Sequence, residues 1–259
     1  MSSNGMYGDG RLARPAARKI AIVAALEREV KPLIAHWPSH EREHGDRKFR
    51  FFENEDTVLI CGGMGAEAAR RATEAVIALY APAIICSAGF AGALQSDLKV
   101  GDIVVPRRVV DARDGSCADA GEGDGVLVTV SSIASRREKA QLAASYGAVA
   151  ADMEAAAVAR GAQARGVRFA AVKSISDESG FALPPMQRFI RPGGEFDTSG
   201  FVRFAILRPW LWTTLVRLAG NSRRAARGLS RHLETMIQKS AQRSQPSAEH
   251  ADEWNVAKR

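Results

Sequence analysis

Three short stretches constrain this chain most: KIAIVAA (19–25), TVLIC (57–61) and AIICSAG (83–89) are apolar at nearly every position rather than at every second one, and RFAAVKSIS (168–176) is apolar without a break from Phe169 to Val172. An alternating strand has one dry face. A strand apolar throughout is buried on both, as happens where helices cover a sheet from either side. Segments of helical pattern lie between these runs. One opens near Glu27 with Val30, Leu33 and Ile34 on one face. AEAARRATEAVIALY ends before Pro82, SRREKAQLAASYG follows later, and MEAAAVARGAQARG stops at Gly166. KFRFFEN, VLVTV and VAAD add strands, and KVGDIVVP with RVVDAR reads as a strand pair. Residues 113–125 and 178–198 read as loops rich in Gly, Asp and Pro. The order predicts an α/β fold of three layers, α/β/α, around a mixed, largely parallel central sheet. A single domain is expected over residues 19–238, its last part (199–238) a basic helical segment, with flexible tails at 1–18 and 239–259.

Composition sets limits on the class. Over 259 residues, 46% are hydrophobic and 25% charged, enough for a core that needs neither disulfides nor a structural metal. Cys61, Cys86 and Cys117 lack paired spacing, and no His cluster accompanies them. Cys61 and Cys86 end apolar runs, so they read as small hydrophobes in a reducing, cytoplasmic protein. The first residues carry no apolar signal core, and no run reaches the roughly 18 apolar residues of a spanning helix. The net charge of +7 is uneven: Arg203 to Arg231 holds seven arginines and no acid. Such a block suits an anionic membrane surface or plain solubility. Without aromatic-interleaved stacking positions it does not read as a nucleic-acid platform.

Three acids stand at the C-terminal ends of apolar strands, where open α/β sheets bind ligands: Glu29 past KIAIVAAL, Glu154 after VAADM and Asp177 after AAVKSIS. Singly, each reads as a helix cap or a loop charge. Together they read as one acid–base site. GGMGAEAA (62–69) opens a helix on a glycine-rich turn, so that backbone N–H groups around Gly65 could face an anion or a sugar oxygen. It is no dinucleotide fingerprint.

KIAIVAALEREVKPLI, GGMGAEAARRATEAVI, CSAGFAGALQSDLKVGDIVVP, ADMEAAAVA and VKSISD, in that order, resemble the superfamily of purine nucleoside phosphorylases and 5′-methylthioadenosine/S-adenosylhomocysteine nucleosidases. The resemblance runs from Lys19 to about Asp177. It implies cleavage of a purine N-ribosidic bond without metal or redox cofactor, phosphate being a co-substrate only in a phosphorylase. By this resemblance Glu29 activates the attacking water and Asp177, beside Ser176, is the general acid that protonates or hydrogen-bonds the purine at N7. Met153 packs on the sugar, Glu154 holds the ribose hydroxyls, and Gly89 and Ala91 pass beneath the nucleoside. The chemistry suits these residues: the bond breaks as positive charge grows on the sugar and negative charge on the base, which carboxylates and an acid stabilise.

The chain departs from the nucleosidase branch in its short segment before ADMEA, where Ile133 is a candidate base contact, and at Phe90, which replaces a small residue. Arg70 and Arg71, close to the glycine-rich turn, are the candidates for a phosphate site, so hydrolysis and phosphorolysis both stay open. RPWLWTTLVRLAGNSRRAARGLSRHLETMIQ (208–238) sets leucines at helical spacing among Trp210, Trp212 and arginines. That pattern fits a membrane-surface helix or a helix packed on the sheet. It resembles the ending of the hopanoid-associated subgroup, which implies adenosylhopane as substrate, adenine as product and a place at the inner membrane face. The superfamily resemblance also implies a homo-oligomer. A non-catalytic nucleoside-binding protein is the competing class, and it would not need all three acids at one ligand.

Overall fold

A computed structural model describes residues 20–191 and 193–244; both expected tails lie outside these, save that the last helix continues to Ser244. The elements are β1 (Ile20–Ala24), α1 (Glu27–Ile34), β2 (Ser39–His44), β3 (Arg47–Asn54), β4 (Thr57–Cys61), α2 (Ala66–Tyr80) and β5 (Ile84–Ala93). Then come β6 (Ile103–Val104), β7 (Arg108–Asp111), β8 (Cys117–Asp119), β9 (Val126–Thr129), α3 (Arg136–Tyr146), β10 (Ala150–Asp152) and α4 (Ala155–Gln163). β11 (Arg168–Asp177), α5 (Thr198–Ile206) and α6 (Trp212–Ser244) complete the described chain.

The strands form one sheet in the order β2-β3-β4-β1-β5-β10-β9-β7-β8, with β11 beside β5 and β6 beside β11. β1 runs parallel to β4 and β5, and β11 parallel to β5. β10 meets the end of β5 antiparallel at Gly92 and Ala93. The mixed sheet between two helical layers is the expected architecture. β1 shows why its sequence is apolar at every position. Ile20, Ile22 and Ala24 face Val30, Leu33 and Ile34 of α1 and Leu229 and Leu233 of α6. Ala21 and Val23 face Ala69, Ala72 and Val76 of α2 and Val158 of α4. Small residues bring the second layer close: a Cβ on Gly161 would lie 2.7 Å from Thr73 Cγ2. α2 stops at Ala81, which takes φ 46° and returns its N–H to Ile77 O, because the following proline disfavours a further right-handed turn.

Three readings need correction. SHEREH, assigned to no strand, forms the edge strand β2, paired only with β3. KVGDIVVP and RVVDAR do not pair with each other: β6 joins β11, while β7 joins β8 and β9. The loop at 113–125 contains strand β8. The 178–198 segment is largely irregular, with one 3₁₀ turn at Gln187–Phe189.

Candidate active site

Glu29 sits in the first turn of α1, directly after β1, where the unsatisfied N–H groups of a helix favour a carboxylate. It is buried, its Oε2 has no hydrogen-bond partner, and its pKa is raised from 4.5 to about 7. Burial is the main cause and the nearby Glu154 the second; Arg28 and Lys173 pull the other way. The carboxylate lies over β5 at Gly89. A Cβ there would stand 2.8 Å from Glu29 Oε2 and 3.9 Å from Lys173 Nζ, so Gly89 is required for room rather than as a contact surface.

Glu154 heads α4. Its Oε1 accepts the Gly65 N–H at 2.7 Å and its Oε2 the Met153 N–H at 3.3 Å. Burial, then Asp152, push its pKa up, while Lys173 and these two amides oppose the rise. The Gly65 N–H is therefore committed to Glu154 instead of facing an anion or a sugar, and Gly65 serves the site by fixing that carboxylate.

Asp177 ends β11 at a register break: Ile175 pairs with Ala91 and Asp177 with Gly92, leaving Ser176 as the extra residue. Such a bulge re-aims side chains at the end of a strand. Asp177 Oδ1 accepts from Ser176 Oγ at 2.7 Å, and Oδ2 accepts from the buried ammonium of Lys139. Lys139 also donates to Glu178 O at 3.0 Å. A Cβ on Gly92 would be 3.0 Å from Asp177 Oδ2 and 3.3 Å from Lys139 Nζ, so this glycine too makes room for the charged pair.

Beneath the site lies a second buried cation. Lys173 Nζ is 2.8 Å from Asp152 Oδ2 and donates to Ser87 Oγ at 3.0 Å. Burial works against its charge, but Asp152, Glu154 and Glu29 together hold its pKa above the ordinary lysine value. Asp152 is fixed in turn by the Thr129 hydroxyl at 2.6 Å and the Ala155 N–H at 2.8 Å.

Glu29, Phe90, Ala91, Ile133, Met153, Glu154, Ser176 and Asp177 all line one cavity of about 700 Å³; Gly65 and Gly89 stand behind Glu154 and Glu29. The three acids thus meet at a single ligand space, contrary to what separate helix caps would give. Sequence reasoning missed Lys139 and Lys173. A lysine inside the apolar run FAAVKSIS was a readable sign, since lysine is almost never buried unless paired. Lys139, in a polar helix with other charges, gave none. The far wall of the cavity was missed as well: Leu183 and Met186 from the 178–198 segment, Phe201 of α5, and Leu215, Leu218 and Ala226 of α6. Arg70 and Arg71 do not line the cavity; they pair with Glu67, and Arg70 also with Glu74, along α2. Among the described residues, no group of three or more His, Cys, Asp or Glu is placed to hold a metal ion.

The phosphorylase superfamily pattern matches residues 19–134 and 123–187. A 5′-methylthioadenosine/S-adenosylhomocysteine nucleosidase of Buchnera aphidicola is 37% identical over 93 residues, a match that spans 35% of this chain and 40% of that relative. The nucleosidase of Actinobacillus succinogenes is 29% identical over 197 residues, covering 61% of this chain and 85% of the relative. Among solved structures, the Helicobacter pylori nucleosidase with butyl-thio-DADMe-Immucillin-A superposes with a TM-score of 0.65 at 19% identity, over 87% of this chain and 100% of that one. Futalosine hydrolase of the same organism gives 0.64 at 18%, over 86% and 98%. At these identities the structural likeness concerns the fold.

Proposed function

The chain belongs to the phosphorylase superfamily, and from that premise we propose that it cleaves the N-ribosidic bond of a purine nucleoside with water as nucleophile. The observation that carries this reading is the convergence of Glu29, Glu154 and Asp177 on one cavity. Glu29 takes a proton from the attacking water through its unpartnered Oε2. The C1′–N9 bond breaks with its electrons moving to the base. The water oxygen bonds to C1′, and Asp177, held by Ser176 and Lys139, passes a proton to N7 so that the purine leaves neutral. Glu154 clamps the ribose hydroxyls beside Met153, while Phe90 and Ile133 pack on the base. Lys173 is a positioning residue that ties the three carboxylates of the floor together. The reaction needs no metal or redox cofactor, since proton transfer and charge stabilisation suffice.

The 5′ group is proposed to be large and apolar. Beyond the acids the cavity runs out between α1, α5 and α6, past Pro32, Ala35, Leu183, Phe201, Leu215 and Leu218, a wall that suits hydrocarbon better than a methylthio group alone. Adenosylhopane, which the ending of the chain suggests by resemblance, meets that description; adenine and a ribosyl hopane would be the products. Such a substrate places the protein on the cytoplasmic side, at the inner membrane face. Methylthioadenosine and S-adenosylhomocysteine are the second reading, favoured by the curated relatives.

The test is adenine release, followed by chromatography, from methylthioadenosine and from an adenosine with a bulky apolar 5′ group, with and without phosphate. We expect release without phosphate, faster for the apolar conjugate. Asp177→Asn should lower kcat by roughly 10²–10⁴, read on protein that circular dichroism shows to be folded, since the change leaves the buried Lys139 without its anion. Wild-type turnover in that variant would remove Asp177 from the mechanism, and release only with phosphate would make the chain a phosphorylase.

A further inference from the structure

All six large hydrophobic side chains that stand exposed among the described residues fall in one short segment: Val202, Ile206, Leu207, Trp210, Trp212 and Val216. They belong to α5, the turn after it and the first turns of α6. Scattered singly they would need no account, but gathered in one patch they mark a contact surface. The rest of α6 explains what this part is not doing. Ala225, Ala226, Leu229 and Leu233 pack on the sheet and are buried, whereas the stretch from Trp212 to Ser222 lends the cavity wall Leu215, Leu218 and Ala219 and turns Trp212 and Val216 outward. The patch is thus the outer side of the same wall whose inner side lines the apolar end of the site.

Charge identifies the partner. Between Asp197 and Glu234 the chain has seven arginines and no acid. Arg223, Arg227, Arg28 and Lys31 line the cavity where α1 and α6 meet, and none of the four forms an ion pair among the described residues; Arg28 stacks on Phe196. A second copy of this chain is a poor match, because a two-fold contact would press one arginine-rich patch against another. An anionic lipid surface matches both properties, taking tryptophan and aliphatic side chains at the headgroup level and arginines against phosphates.

We propose that this face docks on an anionic phospholipid bilayer, so that an apolar 5′ substituent passes from the membrane directly into the cavity. The docking stands on the patch itself; the passage of substrate rests on the proposed function.

The experiment uses the full chain with vesicles of phosphatidylcholine alone and of phosphatidylcholine with phosphatidylglycerol. Sedimentation should show binding to the anionic vesicles at least about tenfold tighter than to neutral ones, weakened by salt. The triple variant Leu207→Ser, Trp210→Ser, Val216→Ser should lose that binding while keeping its melting temperature and its turnover of methylthioadenosine. Anionic vesicles should speed turnover of an adenosine with a long apolar 5′ chain, and not of methylthioadenosine, in wild type alone. Equal, weak sedimentation with both lipids overturns the docking. So does a dimer in the ultracentrifuge that the triple variant abolishes, since the face would then be a protein interface. Vesicle binding without turnover of any nucleoside leaves the docking in place and removes the proposed reaction.

Discussion

Replacing Glu29 by Gln should make the protein more stable at alkaline pH while removing its activity. The carboxyl is buried, one of its oxygens is unpartnered, and its pKa stands at about 7 against 4.5 when exposed. Below pH 4.5 it is neutral both folded and unfolded, so its charge costs nothing. Between 4.5 and about 7 the unfolded chain releases the proton while the folded chain retains it, and stability falls as the pH rises; above about 7 the loss is complete. The full difference is about 3 kcal/mol. Gln fills the same space and cannot ionise. In urea denaturation at pH 8, Glu29→Gln should therefore exceed wild type by about 2–3 kcal/mol, and at pH 5 by under about 1 kcal/mol. A difference that is the same at both pH values, or a variant less stable than wild type at pH 8, would refute the argument that burial sets this carboxyl's proton affinity. The predicted gain in stability with loss of function is the signature of a site whose working group is held against its solvation preference.

Two further substitutions probe the floor of the site. Gly89→Ala places a methyl 2.8 Å from Glu29 Oε2; the carboxylate must swing away, so kcat should fall about a hundredfold with an unchanged circular dichroism spectrum, and a fall confined to KM would contradict the placement. Lys139→Met leaves Asp177 buried without its cation and should destabilise the fold by about 3–5 kcal/mol. The double variant Lys139→Met, Asp177→Asn should regain most of that stability in thermal melts but none of the activity; failure to regain it would show that Lys139 acts through packing and not through charge.

What could be read from the sequence follows from where each element buries itself. β1, β4 and β5 are covered on both sides, and largely apolar runs announce that; β11 shows it only in its first half, Phe169 to Val172. β2 has no comparable pattern: SHEREH is exposed along almost its whole length and is a strand only because β3 offers it an edge. β6 is two residues long and is set by the partner β11, a tertiary fact. The three acids were legible because their positions at strand ends are a property of the fold class. The commitment of the Gly65 N–H to Glu154 was not, because the two residues are joined only by the packing of α2 against α4. The C-terminal helix left two readings, sheet packing or membrane-surface contact: Ala225, Ala226, Leu229 and Leu233 pack on the sheet, while the part before them walls the cavity and leaves Trp212 and Val216 exposed, where membrane contact is a proposal.

The same electrostatics predict opposite pH dependence for water and for phosphate as the nucleophile. The two buried lysines are engaged, Lys173 by Asp152 and Lys139 by Asp177, and Arg70 and Arg71 are spent on the acids of α2; the cavity cations without an ion pair among the described residues are Arg28, Lys31, Arg223 and Arg227. An anion placed beside Glu29 would meet a carboxyl that is negative above about pH 7, and at such range the repulsion between like charges in a buried site is large. Water needs the opposite state, since only ionised Glu29 can accept its proton. Hydrolysis should therefore rise with pH through about 7 and level off above it, with no gain from added phosphate. Phosphorolysis would need neutral Glu29 and would fall over the same interval. A pH–rate profile for adenine release, measured with and without phosphate, separates the two: a rate that declines through pH 7 in phosphate and is negligible without it would overturn the assignment of Glu29 as the base that activates water.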